Sequence, residues 1–218
     1  MELLAEECQR FGDLKSLRVL KLDGHWQNFP REVVEALAEL PKLESLIFDG
    51  VGAYHMGEET FADRLSKLKH LKHLALNNDD GFQNAIGKEV SQLKQLQSLS
   101  ILGRQLTDEF IDQISDLPLR KLNLAMTGIT DVGLRKIANS FPDLEELNVE
   151  RTGVTKDGIR SVMGELGSLR KLTVEAQLGE VLVEFKRRHR DCVIIPIDYG
   201  RGSVTSFPPI KLPKEKKK

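Results

Sequence analysis

LRKLNLAMTGITDVGLRKIANSFPDL, residues Leu119 to Leu144, is one turn of a chain that repeats itself. Leu119, Leu122 and Leu124 fall on one side of a short strand, and Lys121, Asn123 and Ala125 alternate to the other. Thr127 follows, where a hydroxyl can bond the backbone of a neighbouring turn and satisfy groups that neither helix nor sheet reaches. Ile129 returns to the apolar side. Thr130 is placed to cap a helix, with Asp131 in the first turn opposing the helix dipole. Leu134 and Ile137 share one helical face at i, i+3. Phe141-Pro142 then closes the helix ahead of the next strand.

Outward from this unit, the apolar frame L-x-x-L-x-[LIVF] begins at Leu17, Leu43, Leu71, Leu96, Leu119, Leu144 and Leu169, with steps of 26, 28, 25, 23, 25 and 25 residues. A period in the twenties with this leucine spacing marks a solenoid, in which each coil buries its apolar side only against its neighbours. The flanking units keep the same grammar. Leu106-Thr107-Asp108 precedes a helix bearing Phe110, Ile111 and Ile114, and Val154-Thr155-Lys156 precedes one bearing Ile159, Val162 and Leu166. Cap, period and turn chemistry therefore agree in three successive units.

The stretch ITDVGLRKIANSFPDLEELNVERTGVT, Ile129 to Thr155, resembles the cysteine-containing subclass of leucine-rich repeats, found in F-box leucine-rich-repeat proteins and in many bacterial repeat proteins. Phe141 and Thr152 stand where that subclass often has Cys, and Thr is frequent at the second place in bacterial relatives. The resemblance covers about Leu14 to Val174. It implies an α/β fold, a right-handed leucine-rich repeat horseshoe with a parallel inner sheet and outer helices, and a role in protein–protein recognition. The expected organisation is an N-terminal helical cap over 1–16, seven repeats over 17–178, a cap helix and edge strand over 179–198, and a flexible basic Pro/Lys-rich tail over 199–218. Sixteen residues ahead of Leu17 leave no room for an F-box, so a ubiquitin-ligase adaptor would require a longer parent protein.

At the ends, Leu3, Leu4, Cys8 and Phe11 form the apolar side of an expected cap helix. Val181, Leu182 and Phe185 do the same for the stretch Gly179 to Arg190. Cys192 to Ile197 reads as a last strand at the edge of the sheet, because Pro196 has no N–H to give a further neighbour. From Tyr199 to Lys218 there are six Lys or Arg against one Glu. The net charge of −1 thus hides a mildly acidic body, which lacks the positive stripe that nucleic-acid wrapping needs. No secretory leader or run of eighteen apolar residues is seen, and two distant cysteines suit a reducing compartment, so a cytoplasmic monomer without a membrane span is expected.

The outward-facing strand positions form three columns. The first is Val19, Ser45, His73, Ser98, Lys121, Glu146 and Lys171; the second is Lys21, Ile47, Ala75, Ser100, Asn123, Asn148 and Thr173; the third is Asp23, Asp49, Asn77, Leu102, Ala125, Glu150 and Glu175. The third is acidic at both ends and apolar in the middle, which suits either a ligand-binding face or a merely solvated one. Repeats one to three have longer strand-to-helix loops carrying Trp26, Phe29, Tyr54 and Phe82. Phe29 and Phe82 fit the core slot held by Ile129 elsewhere. Trp26 and Tyr54 fit it less well and are candidates for an exposed hot spot on the rim. The expected partner-binding set is Asp23, Trp26, Asp49, Tyr54, Asn77, Leu102, Asn123, Glu150 and Glu175.

His70 and His73 lie three apart on a strand and so face opposite sides, which argues against a shared metal. Asn77 to Gly81 has the composition of a turn and lacks the alternating ligands of a calcium loop. Nucleophile-elbow, phosphate-loop, dinucleotide and zinc-protease motifs are missing, so neither catalysis nor a cofactor is expected. The leading reading is a non-enzymatic module that recognises a still unidentified protein on its concave face and the rim of repeats one to three. Alternatives are an assembly scaffold or a substrate adaptor for an enzyme such as a ubiquitin ligase.

Overall fold

The computed structural model describes residues 13–23, 31–49, 62–77, 82–198 and 205–206. Strands β1 (Val19–Asp23), β2 (Ser45–Asp49), β3 (His73–Asn77), β4 (Ser98–Ile101), β5 (Lys121–Asn123), β6 (Glu146–Asn148), β7 (Lys171–Glu175), β8 (Val193–Asp198) and β9 (Thr205–Ser206) join in chain order into one open sheet. β1 to β8 run parallel, and β9 pairs antiparallel with the end of β8. Each of the first seven strands begins two residues after the leading leucine of its frame. This constant offset puts Val19, Ser45, His73, Ser98, Lys121, Glu146, Lys171 and Val193 in one register row. The fold is the expected α/β leucine-rich repeat horseshoe.

The leucines of the frame line the interior: Leu46, Leu74, Leu99, Leu122, Leu147 and Leu172 are all buried. In the first repeat, Leu17, Leu20 and Leu22 are only half-buried against the same core. Phe82 is buried, in keeping with the core slot; Phe29 lies outside the described residues.

An outer layer covers the other side of the core. It consists of α1 (Arg31–Ala38), a 3₁₀ turn (Ala62–Lys67), α2 (Ile86–Val90), α3 (Asp108–Ile114), α4 (Asp131–Ser140), α5 (Lys156–Val162), a second 3₁₀ turn (Ala176–Leu178) and α6 (Glu180–Arg188). Segments this short do not persist as isolated helices in water. They are held by burial of one face each: Phe110, Ile111 and Ile114 on α3, Leu134 and Ile137 on α4, Ile159 and Val162 on α5. Each such side chain contributes about 1.5–3 kcal/mol when taken fully out of water.

The caps follow the local sequence. Thr130 and Thr155 adopt extended backbone ahead of α4 and α5, and their hydroxyls accept from Val132 N and Gly158 N. Thr107 occupies the same place before α3 but makes no side-chain cap. Thr127 is buried, and its hydroxyl donates to the carbonyl of Leu124 in its own turn at 2.7 Å, rather than to a neighbouring repeat. Thr152 does the same to Val149.

At the C-terminal end Val181, Leu182 and Phe185 of α6 are buried. β8 follows and pairs with β7 from Val193 to Ile197. It is not the sheet's edge along its whole length, because Ile197 and Asp198 are covered by Ser206 and Thr205. Pro196 lies just short of that pairing, so its missing N–H interrupts no bond to β9. Of the expected N-terminal cap over 1–16, residues 1–12 lie outside the described residues.

Candidate functional site

The parallel register carries the second column across the sheet as Lys21, Ile47, Ala75, Ser100, Asn123, Asn148, Thr173 and Ile195. Strand positions two apart face the same way, so this row and the first lie together on the concave face. Polar side chains from different repeats are thereby brought within bonding distance.

A polar ladder runs through the middle. Ser100 Oγ donates to Asn77 Oδ1 at 3.0 Å, and Asn123 Nδ2 donates to Ser100 Oγ at 3.0 Å. Asn123 Oδ1 accepts from Ala125 N at 3.1 Å, and Asn148 Oδ1 from Glu150 N at 3.0 Å. These last two bonds turn the chain out of the strand. The residues that follow, Met126 and Arg151, take φ of 59° and 52°.

Beside this ladder stands a charged one. Glu146 receives Lys121 Nζ at 2.5 Å and Lys171 Nζ at 3.6 Å. Lys121, and more weakly Lys171, holds the Glu146 carboxyl below the usual carboxylate range against the opposing effect of burial. One position earlier, Arg120 pairs with Glu145. Three repeats before Glu145's partner Arg120, Glu44 sits between Arg18 at 3.1 Å and Lys72 at 3.0 Å. Glu145 and Glu44 are likewise lowered, chiefly by Arg120 and by Lys72. Between the two ladders a shallow depression of about 230 Å³ spans β4 to β7, floored by Ser100, Asn123 and Asn148 and flanked by Lys121, Glu146 and Lys171.

The residues expected to bind a partner fall into three groups. Asn77 and Asn123 are half-buried and are tied to each other through Ser100. Leu102, Glu150 and Glu175 are half-buried, the first two just past the ends of β4 and β6 and the third at the end of β7; Glu175 accepts from Gln177 Nε2, and Leu102 N donates to Leu76 O. Asp23 and Asp49 end β1 and β2 in register with one another and with Asn77, but their side chains lie outside the described residues, as do Trp26 and Tyr54 entirely. Sequence reasoning placed Ser100, Lys121, Glu146, Asn148 and Lys171 in the columns without assigning them a role. The signal was the succession Lys, Glu, Lys at one column position in consecutive repeats.

Among the described residues no group of three or more His, Cys, Asp and Glu is arranged to hold a metal ion, and His70 and His73 are both exposed. No helix among them is long and apolar enough to cross a membrane. Cys192 is buried.

No family model matches the chain, and no curated protein matches it. Solved structures do share its architecture. An internalin, inlF of Listeria monocytogenes, superposes with a TM-score of 0.52 at 16% identity, over 85% of this chain and 56% of the internalin chain. TLR13, in a complex with ssRNA13, superposes with a TM-score of 0.51 at 21% identity, over 90% of this chain and 24% of its own. This chain thus spans about half of the first neighbour and a quarter of the second. At these identities the likeness concerns the fold alone, an open stack of parallel strands backed by short helices.

Proposed function

We propose that the protein is a non-enzymatic recognition module that binds a protein partner on its concave face and on the adjoining rim of repeats one to three. The observation that carries this reading is the in-register face itself, where side chains from seven consecutive repeats stand in rows on a sheet fixed by its own core. One ligand can touch many repeats at once, and the rows are held in place by bonds such as Asn123 to Ser100 rather than by the ligand. The rim contributes Asp23, Trp26, Asp49, Tyr54 and Asn77, the last at the end of β3. We place the repeats in the cysteine-containing subclass on the strength of the Ile129–Thr155 pattern, with the Thr127 and Thr152 hydroxyls filling a position where that subclass often has Cys.

TLR13 was solved with RNA. The present face favours protein, because its cations Lys121 and Lys171 flank Glu146 instead of forming a continuous positive stripe.

The test is affinity capture with the intact chain, followed by reconstitution of the captured species from purified components. Three baits are compared: the natural chain, Trp26→Ala with Tyr54→Ala, and Asn123→Arg with Asn148→Arg. A protein whose affinity falls in both variants supports the reading. Loss only in the inner-face variant removes the rim from it. A nuclease-sensitive ligand, or a protein bound equally by all three baits, overturns it.

A further inference from the structure

We propose that residues Phe207 to Ile210 extend β9 along the outer edge of β8, so that the chain seals the last edge of its own sheet with an apolar strand. The surface is the backbone edge of β8, and its occupant is a segment of the same chain from the stretch expected to be flexible.

β9 fixes the direction and the register. It runs antiparallel to β8, with Thr205 opposite Asp198 and Ser206 opposite Ile197. Continued without a bulge, the same ladder sets Phe207 opposite Pro196, Pro208 opposite Ile195, Pro209 opposite Ile194 and Ile210 opposite Val193. Residues 207–218 lie outside the described residues, and among the described residues no strand lies beside Val193 to Pro196 on that side.

The β8 backbone decides which groups face the opening. Val193 N donates to Arg170 O at 2.7 Å, so Val193 addresses β7, and by the alternation of a strand so do Ile195 and Ile197. Ile194, Pro196 and Asp198 then address the outer edge, where the missing N–H of Pro196 takes no bond from β7. In the extended ladder Phe207 N–H donates to the Pro196 carbonyl, and Ile194 N–H donates to the carbonyl of Pro209. Each of these pairs keeps one bond of the usual two. Pro208 falls in the intervening pair, which exchanges no hydrogen bonds, so its missing N–H points away from β8. The new outer edge thus lacks a donor at its centre, which deters a further strand from another chain.

Side-chain chemistry agrees with this register. Ile194 and Pro196 are buried, Ile195 is half-buried and Val193 is 41% exposed. Residues directly opposite share a face. Phe207 and Pro209 therefore stand on the core side with Pro196 and Ile194, and Pro208 and Ile210 stand on the other side with Ile195 and the exposed Val193. Every apolar residue of the segment meets an apolar residue of β8. Lys211 falls past Val193, the first residue of β8, so the lysine-rich stretch begins where the strand ends.

The test is solution NMR on the full chain. The Hα protons of Ile195 and Pro208 should show a cross-strand Overhauser contact, since the Cα atoms of such a pair lie about 4.5 Å apart. The Ile194 amide, which faces the edge, should exchange at least about tenfold more slowly in the natural chain than in the variant carrying Phe207→Asp and Ile210→Asp, while the Ile195 amide, directed at β7, changes far less. Pro208→Ala should keep both the contact and the protection, because the restored N–H points away from β8. Unchanged exchange at Leu122 and Leu147 verifies that each variant is folded. Mixtures of labelled and unlabelled chains then show which molecule supplies the strand, and a contact within one chain is the expected result. A contact found only between chains makes a second copy the occupant and overturns the inference. Absence of the Ile195–Pro208 contact in the natural chain overturns it without recourse to any variant. Equal Ile194 exchange in the folded Asp variant, or loss of protection in Pro208→Ala, does the same.

Discussion

Asp108 and Thr130 are joined across a repeat boundary by two hydrogen bonds: Thr130 N donates to Oδ1 at 2.8 Å, and the Thr130 hydroxyl donates to Oδ2 at 2.6 Å. The arrangement is repeated one coil later, where Thr155 N and its hydroxyl reach Asp131 at 2.7 and 2.6 Å. One coil earlier Asn84 takes the acid's place, accepting from Thr107 N at 2.8 Å and donating to the Thr107 hydroxyl at 2.7 Å. Each acid opens one helix and holds the cap residue of the next, so the helix entrances are stitched along the rim.

Removing the Asp131 carboxylate should therefore act on the repeat after it. Asp131→Ala loses two charge-assisted bonds and leaves Thr155 N without this acceptor, a cost of about 1.5–3 kcal/mol. Asp131→Asn should cost less, because the Asn84–Thr107 pair shows that an amide can satisfy the same two groups. Urea unfolding measures both, and the order Asn milder than Ala is the expected result.

Glycine is required at the third position of α5 for a related reason. A Cβ on Gly158 would meet the Asp131 carboxylate, and one on Gly133 would meet that of Asp108. Gly158→Ala should destabilise the protein even though alanine is favoured over glycine in a helix by about 1 kcal/mol. Gly167→Ala, with no atom within 4 Å of the added carbon, serves as the comparison and should be close to neutral. In the Asp131→Ala background much of the Gly158→Ala penalty should vanish, a coupling that a double-mutant cycle reads directly.

How far the sequence foretold this depends on whether an interaction lies within a repeat or between repeats. Both inner rows were legible because the strand starts at a fixed offset from Leu17, Leu43 and their successors, and alternation does the rest. The caps at Thr130 and Thr155 were legible because the capping group and its N–H are two or three residues apart. The Asp108–Thr130 bond was not, since those residues are 22 apart and meet only once the coils are stacked. Thr107 has the sequence of a cap yet serves as a partner for Asn84 instead. The end of β8 gains Thr205 and Ser206 from a stretch whose Pro- and Lys-rich composition gives no strand pattern. The partner-binding set was drawn from column position and residue type. Column position fixes where a residue stands, but not whether, like Asn77 and Asn123, it is already engaged within the chain.

Glu146 gives a prediction about acid. Its carboxyl is held below the ordinary range in the folded chain, first by the hydrogen bond from Lys121. A carboxyl with a lowered folded pKa adds stability above its unfolded pKa and loses it as pH falls through the folded value. Its side chain is about one-third exposed, so solvent and salt should weaken the effect. An NMR titration should place the Glu146 midpoint below that of an ordinary glutamate. Lys121→Gln should raise it toward the ordinary value by more than Lys171→Gln does. An equal response to both, or none, would show that the trio seen here does not persist in solution.

Cys192 offers a probe of the C-terminal cap. It is 1% exposed, beneath α6 and beside β8, and burial pushes its thiol up to about 11 despite the nearby Lys186 ammonium. At pH 8 the buried thiol is almost wholly protonated, and the nucleophile in alkylation is the thiolate. Labelling must therefore wait for the cap to open, and its rate reports the free energy of that opening. Phe185 is buried on α6 and stacks on His189 at 4.3 Å between ring centroids, while His189 Nε2 donates to Met163 O at 2.8 Å. Phe185→Ala should remove that packing at a cost of about 3–5 kcal/mol, concentrated in the last coil because a solenoid shares stability only between neighbours. Site-resolved mass spectrometry should then show Cys192 labelling accelerated by more than a hundredfold, while hydrogen exchange at Leu122 and Leu147 changes far less. Equal acceleration at all three sites would mean that the last coil opens only when the whole stack does.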